Sequence, residues 1–250
     1  MKKHFLLLTL LSVVLYTYGQ DEKIQSDRPG VALTPQLTKK RFLQFEIGFE
    51  KEQQNKDDYS FTHPELQVKY GLSDRIELRA ELVAESNKAY SSQKFDYGLR
   101  PVEFGLKAKL VEQKGFLPTT TFYSQVGIPT LASQDHQTTH AVPKIRLLFE
   151  NQYAKKFHLN YNIGAEWDGE ETKPKWLYAI DQEIELSKEW EIFVETFGYF
   201  QQGQAAQHNV DGGIAFFPTI NMKLDLSAGK GLSKEAPDYF ISAGFSFRLK

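Results

Sequence analysis

The stretch Val102-Glu103-Phe104-Gly105-Leu106-Lys107-Ala108-Lys109-Leu110 sets the reading of the whole chain. Every second side chain is apolar, and the four between them are Glu, Gly, Lys and Lys. A helix would scatter those apolar residues around its circumference. A strand sends successive side chains to opposite faces, so a period of two collects them on one. One face is oily and the other charged, with Leu106 on the first and Gly105 on the second.

The same alternation recurs along the chain. It appears at Leu43 to Phe49, Leu66 to Tyr70, Ile76 to Ala84, Ile145 to Phe149, Leu159 to Trp167, Trp176 to Leu186, Ile220 to Ala228 and Tyr239 to Leu249. Across these nine segments the apolar face holds 42 positions and none is charged, whereas 16 of the 33 intervening residues are Asp, Glu, Lys or Arg. A random face of that size would carry roughly ten charges. Three less regular segments, Thr119 to Ile128, Trp190 to Phe200 and His208 to Phe217, bring the expected number of strands to about twelve.

The connections carry separate information. Short turns fall at Gly71–Asp74, Glu112–Gly115, Tyr153–Lys156, Ser187–Glu189 and Phe217–Thr219. Longer loops fall at Lys51–His63, Glu85–Arg100, Pro129–Ala141, Asp168–Pro174, Gln201–Gln207 and Lys230–Asp238. The two kinds alternate strictly. Outer-membrane barrels behave this way, with tight periplasmic turns and longer outer loops, and their strand number is even. Tyr70, Trp167, Trp176, Trp190 and Tyr239 sit near strand ends, where interfacial aromatic girdles belong. The expected fold is therefore an all-β transmembrane antiparallel barrel over residues 41–250. A soluble periplasmic β-barrel binding a small ligand would show the same period with its faces reversed.

Composition narrows the function. The chain has 250 residues, a formal charge of -2 and no cysteine. That leaves no basic footprint for nucleic acid, no disulfide framework and no thiolate metal site. A mean hydropathy of -0.45 excludes a helical membrane bundle. Lys2 and Lys3, the apolar run from Phe5 to Tyr16 and small Gly19 read as a signal peptide over residues 1–19, directing export to the outer membrane. Residues 20–40 lack strand period and contain Pro29, Gly30 and Pro35. They form either a loose periplasmic leader or a small plug folded into the barrel mouth, with Asp27, Arg28 and Pro29 as the candidate plug residues and Arg28 meeting lumen carboxylates.

Several short motifs sharpen this picture. Ser26-Asp27-Arg28-Pro29-Gly30, Tyr70-Gly-Leu-Ser-Asp-Arg75-Ile-Glu-Leu78 and Gly127-Ile-Pro-Thr130 occur in order along the chain. Together they resemble the bacterial family named for the meta-pathway of phenol degradation, whose members are often labelled transporters. The resemblance spans the mature chain and implies a barrel that passes small solutes, aromatic compounds among them. Ser242-Ala-Gly244-Phe-Ser-Phe247-Arg-Leu249 also resembles the C-terminal signal read by the outer-membrane assembly machinery, with Leu249 where an aromatic residue is usual and Lys250 as an extra residue. Expected partners are thus outer-membrane lipid, that machinery and small solutes.

The candidate solute path is the inward face. It comprises Glu46, Glu77, Arg79, Glu81, Glu103, Lys107, Lys109, Arg146, Glu166, Asp181, Glu183, Glu185, Lys223, Asp225 and Arg248, with Lys69 beside them. Such a face acts either as a charge filter or as a ladder of salt bridges filling a narrow interior. Asp181, Glu183 and Glu185 crowd one strand and call for basic partners. No catalytic constellation, cofactor fingerprint or metal set stands out. His136 and His140 lie four apart in a loop near Asp135, a spacing that places both rings on one side only in a helix. His158, Asn160 and Asn162 share an inward face, which keeps a barrel-borne hydrolase as the alternative reading.

Overall fold

The computed structural model of the protein describes residues 23–88 and 96–250; the proposed signal peptide lies outside them. Thirteen strands form one antiparallel sheet: β1 (Leu43–Gln53), β2 (Tyr59–Gly71), β3 (Ile76–Lys88), β4 (Asp96–Leu99), β5 (Val102–Val111), β6 (Thr119–Ile128), β7 (Val142–Ala154), β8 (Phe157–Glu166), β9 (Lys175–Glu185), β10 (Trp190–Gln201), β11 (Gln207–Thr219), β12 (Met222–Gly231) and β13 (Tyr239–Leu249). Each strand pairs with its sequence neighbours, except that β5 pairs with β3 and not with β4, and β13 pairs with β1 from Leu43↔Leu249 to Gln53↔Tyr239. The sheet therefore closes, which removes its edges.

The barrel has twelve strands in circumference because β4 and β5 share one place. Both lie along β3, β5 against Ile76–Glu81 and β4 against Ala84–Asn87. Between them come Arg100 and Pro101, and a proline has no N–H to give to a ladder.

All twelve segments with alternating or near-alternating sequence are strands. Differences arise at the ends. β1, β2 and β3 run on into the expected loops, so the first long connection shrinks to residues 54–58. At the other end β11 continues through Phe217 and Pro218, and the chain turns at residues 220–221. There the β11–β12 register slips between Phe216↔Leu224 and Thr219↔Met222. Such a bulge accommodates Pro218 without costing a ladder hydrogen bond.

The faces are arranged as in a membrane barrel. Leu106 is 36% exposed and its neighbour Lys107 is 1% exposed. Phe49, Leu78, Phe104, Ile163, Val194, Leu224 and Ile241 likewise face outward, while Glu46, Glu77, Arg79, Glu103, Asp181, Asp225 and Arg248 are buried. A soluble barrel would show the reverse.

Candidate functional site: a charged lumen filled by the N-terminal segment

Residues 23–42 have no strand of their own; 23–39 lie inside the barrel, and Lys40 and Arg41 emerge at the rim beside the turn after β2. An irregular segment surrounded by protein must find partners for its backbone N–H and C=O groups. The inward side chains supply them. The Val31 N–H donates to Glu195 Oε2 at 2.7 Å and the Ala32 N–H to Oε1 at 2.5 Å. The Leu33 N–H donates to Asn162 Oδ1 at 2.7 Å, and Asn162 Nδ2 donates back to the Leu33 carbonyl at 3.0 Å. Arg146 donates to the Val31 carbonyl, Thr121 to the Pro35 carbonyl and Lys223 to the Arg28 carbonyl. The Thr38 N–H reaches Glu77 at 2.6 Å.

Asp27 is the most heavily bonded residue of the segment. Lys69 Nζ lies 2.5 Å and Arg79 Nη2 2.8 Å from its Oδ2, while Lys107 Nζ lies 2.7 Å from Oδ1. The sheet register explains this grouping. Lys69 stands opposite Arg79 across β2 and β3, and Lys107 opposite Glu77 across β5 and β3. Glu46 completes the cluster, 2.6 Å from Lys69.

Arg28 points to the other side. Its Nη2 donates to Ser242 Oγ at 2.7 Å and to Asp225 Oδ1 at 3.2 Å. The guanidinium lies over Gly48 and Gly244, which are opposite each other in the β1–β13 register. A Cβ on either glycine would overlap it. These two positions must lack side chains for Arg28 to lie where it does. Pro29 and Gly30 then lead the chain towards β10, where Gly30 packs against the Glu195 carboxylate.

Apolar side chains anchor the segment as well. Val31 and Ala32 pack with Ala179, Phe197, Tyr199 and Phe240; Leu33 with Tyr123 and Leu148; Ile24 with Ala215 and Phe217. Sequence reading missed this inward aromatic set. The signal available was Phe193 and Phe197, four residues apart on the same face of β10 as Glu195.

The remaining path candidates divide into pairs and unpaired acids. Glu103 meets Lys144 at 2.7 Å, Arg146 meets Glu166 at 2.5 Å, and Glu81 accepts from Gln67 and Gln125. Lys109 sits nearer the turns beside Glu112, and Arg248 bonds Asn221. Of the crowded acids on β9, Glu185 meets Lys23 at 3.2 Å. Asp181 instead takes Asn160 at 3.3 Å and stands in register with Glu195, which in turn stands in register with Asp211. Glu183 borders a small gap of about 10 Å³ shared with Asp27, Arg28 and Lys223. The lumen is thus divided, with acids and bases interleaved along β2, β3 and β5 and acids predominating along β9, β10 and β11.

Above the segment, on the side of the longer loops, opens a vestibule of about 900 Å³. Val31, Phe197, Tyr199 and Phe240 form its apolar part; Glu103, Lys144, Arg146 and Glu166 line its walls. His158 Nδ1 donates to Glu150 Oε1, 2.8 Å away, while Asn160 and Asn162 bond Asp181 and Leu33. The three therefore serve different partners. His136 lies 3.9 Å from both Glu85 and Asp96, and His140 bonds Gly169 through its backbone N–H. Among the described residues no group of three or more His, Asp or Glu is arranged to hold a metal ion.

The family model described as "Putative MetA-pathway of phenol degradation" matches residues 26–249. The chain belongs to that family. No curated protein matches it. Among solved structures, the COG4313 outer membrane channel from Pseudomonas putida F1 superposes with a TM-score of 0.67 at 10% identity, covering 88% of this chain and 99% of that one. A KdgM porin in complex with disordered oligogalacturonate gives 0.57 at 9% identity, over 83% and 99% of the two chains. The Ralstonia pickettii toluene transporter TbuX gives 0.50 at 6% identity, over 93% and 96%. At such identities the likeness is one of fold: a closed outer-membrane β-barrel.

Proposed function

We propose that this family member is an outer-membrane channel that passes small solutes, aromatic compounds among them, through its charged lumen. The observation that carries the reading is the vestibule ending on Val31, a floor built from the N-terminal chain segment instead of from the wall. In this reading Asp27, Arg28 and Pro29 are the plug. Glu103, Arg146 and Glu166 meet the solute first, followed by Glu77, Arg79, Glu81, Lys107 and Lys109 on one side and Asp181, Glu183, Glu185, Lys223, Asp225 and Arg248 on the other. The work is binding and passage without covalent chemistry. The names of the channel, porin and toluene transporter relatives support it. Residues 1–19 act as the export signal, and Ser242 to Leu249 engage the assembly machinery.

The test is reconstitution. Purified protein in planar bilayers and in swelling liposomes is expected to give a small basal conductance that rises when Gly244→Val displaces Arg28. Absence of conductance and uptake in both proteins would reject the channel.

A further inference from the structure

The plug fills its binding positions unequally, and one of them is more than Asp27 needs. Lys69, Arg79 and Lys107 come from three adjacent strands and converge on one carboxylate. Both of its oxygens are bound, yet Arg79 Nη1 is buried with no hydrogen-bond partner. An untethered carboxylate can take a guanidinium through two parallel bonds. Asp27, fixed by its backbone, uses only Nη2.

Charge points the same way. With Asp27 present the cluster balances, three cations against Asp27, Glu46 and Glu77. When the segment moves away, one positive charge is left without its partner in a site walled by protein, and an unpaired buried charge is costly. An incoming anion with two oxygens restores both the balance and the hydrogen bonds.

We infer that Lys69, Arg79 and Lys107 form a carboxylate-binding site of the lumen, occupied by Asp27 in the plugged state and taken by small organic carboxylates when the plug is displaced. This rests on the channel reading for its role in passage, but the binding itself is measurable without passage.

The experiment uses the full chain in detergent, with Asp27→Ala vacating the site and acetate as the probe. Sodium acetate is expected to raise the thermal midpoint of the Asp27→Ala protein in a saturating manner, beyond sodium chloride at equal ionic strength. Ligand binding to the folded state alone produces such a shift. Acetamide, the neutral analogue, is expected to have no such effect, and neither is acetate on the protein with Asp27. Lys107 pairs with no carboxylate other than Asp27 among its ion pairs. Asp27→Ala/Lys107→Met therefore removes a binding group without stranding an acid, and is expected to abolish the response. Equal shifts with acetate, chloride and acetamide, or an undiminished response in the double variant, would overturn the site.

In bilayers, the freed positive charge is expected to raise the anion-to-cation permeability ratio of Asp27→Ala about 16-fold, since a unit charge about 5 Å from the ion in water-like dielectric favours the anion about fourfold and disfavours the cation about fourfold. An unchanged ratio in a conducting Asp27→Ala channel would overturn the site. Acetate binding without conductance in any variant would leave the site standing and remove the channel.

Discussion

Tying the N-terminal segment to the wall should close the protein. Ser26 and Ser246 are both buried, with hydroxyl oxygens 3.1 Å apart. A disulfide needs its sulfurs about 2.05 Å apart, and the longer C–S bonds take up part of the difference. The chain contains no cysteine, so Ser26→Cys/Ser246→Cys creates a single possible pair. Ser246 stands opposite Glu46 in the β1–β13 register, so the bond closes a loop running from residue 26 to residue 46. For a loop of about twenty residues the entropic stabilisation is about 3 kcal/mol, and it should lower the population of withdrawn segment by roughly 100-fold. The assay is single-channel recording under oxidising conditions, then after adding a reductant, with each single cysteine variant as control. Conductance should fall with oxidation and return with reduction in the double variant alone. A cross-linked protein, verified by mass, that conducts like its reduced form would show that the segment does not govern passage.

Other outcomes follow from the same contacts. Leu106→Arg, on the lipid face, should cost about 2–4 kcal/mol if it lies at mid-bilayer, measured by denaturant unfolding in lipid vesicles, whereas Lys109→Arg on the inner face should be nearly neutral. Glu195→Ala leaves the Val31 and Ala32 N–H groups without their acceptor. At about 1–3 kcal/mol per orphaned donor, it should loosen the segment enough to speed proteolysis between residues 23 and 42 while the barrel stays intact. In the loop after β8, the N–H groups of Glu171 and Glu170 each donate to Asp168 Oδ1 at 2.9 Å and hold its pKa below the usual aspartate range. A lowered carboxylate pKa adds stability above its unfolded value and loses it as pH falls through the folded one. Hydrogen exchange at Glu170 and Glu171 should therefore stay slow at mildly acidic pH and quicken only below the ordinary aspartate range. In Asp168→Ala it should be fast throughout.

Strand count and facing were legible because lipid and lumen impose opposite chemistry on alternate residues, a constraint written locally into each segment. Trp190, Ile192 and Val194 illustrate the limit of such reading. Phe193 interrupts the polar face of their strand because it turns inward with Phe197, which packs beside Ala32, a reason that lies about 160 residues away in sequence. Gly105 is similar. Facing the lumen, it would pass for a tolerant site, but a Cβ there would collide with the Ser124 carbonyl on β6. The lumen residues were identifiable individually, yet their partners were not. Asp27 meets Lys107 across 80 positions, and Asp181 meets Asn160 and stands in register with Glu195 where a base had been expected. Register between neighbouring strands decides such pairs, and composition does not encode it.

The Asp27 contacts also fix an order of events. The three cations that receive this carboxylate stand on β2, β3 and β5 and come together only once those strands are paired. A stretch that precedes every strand in the chain must accordingly settle after them. Until it does, water must solvate an interior that already holds most of its charges. On this logic a segment that comes before every strand in the sequence is the last to find its place.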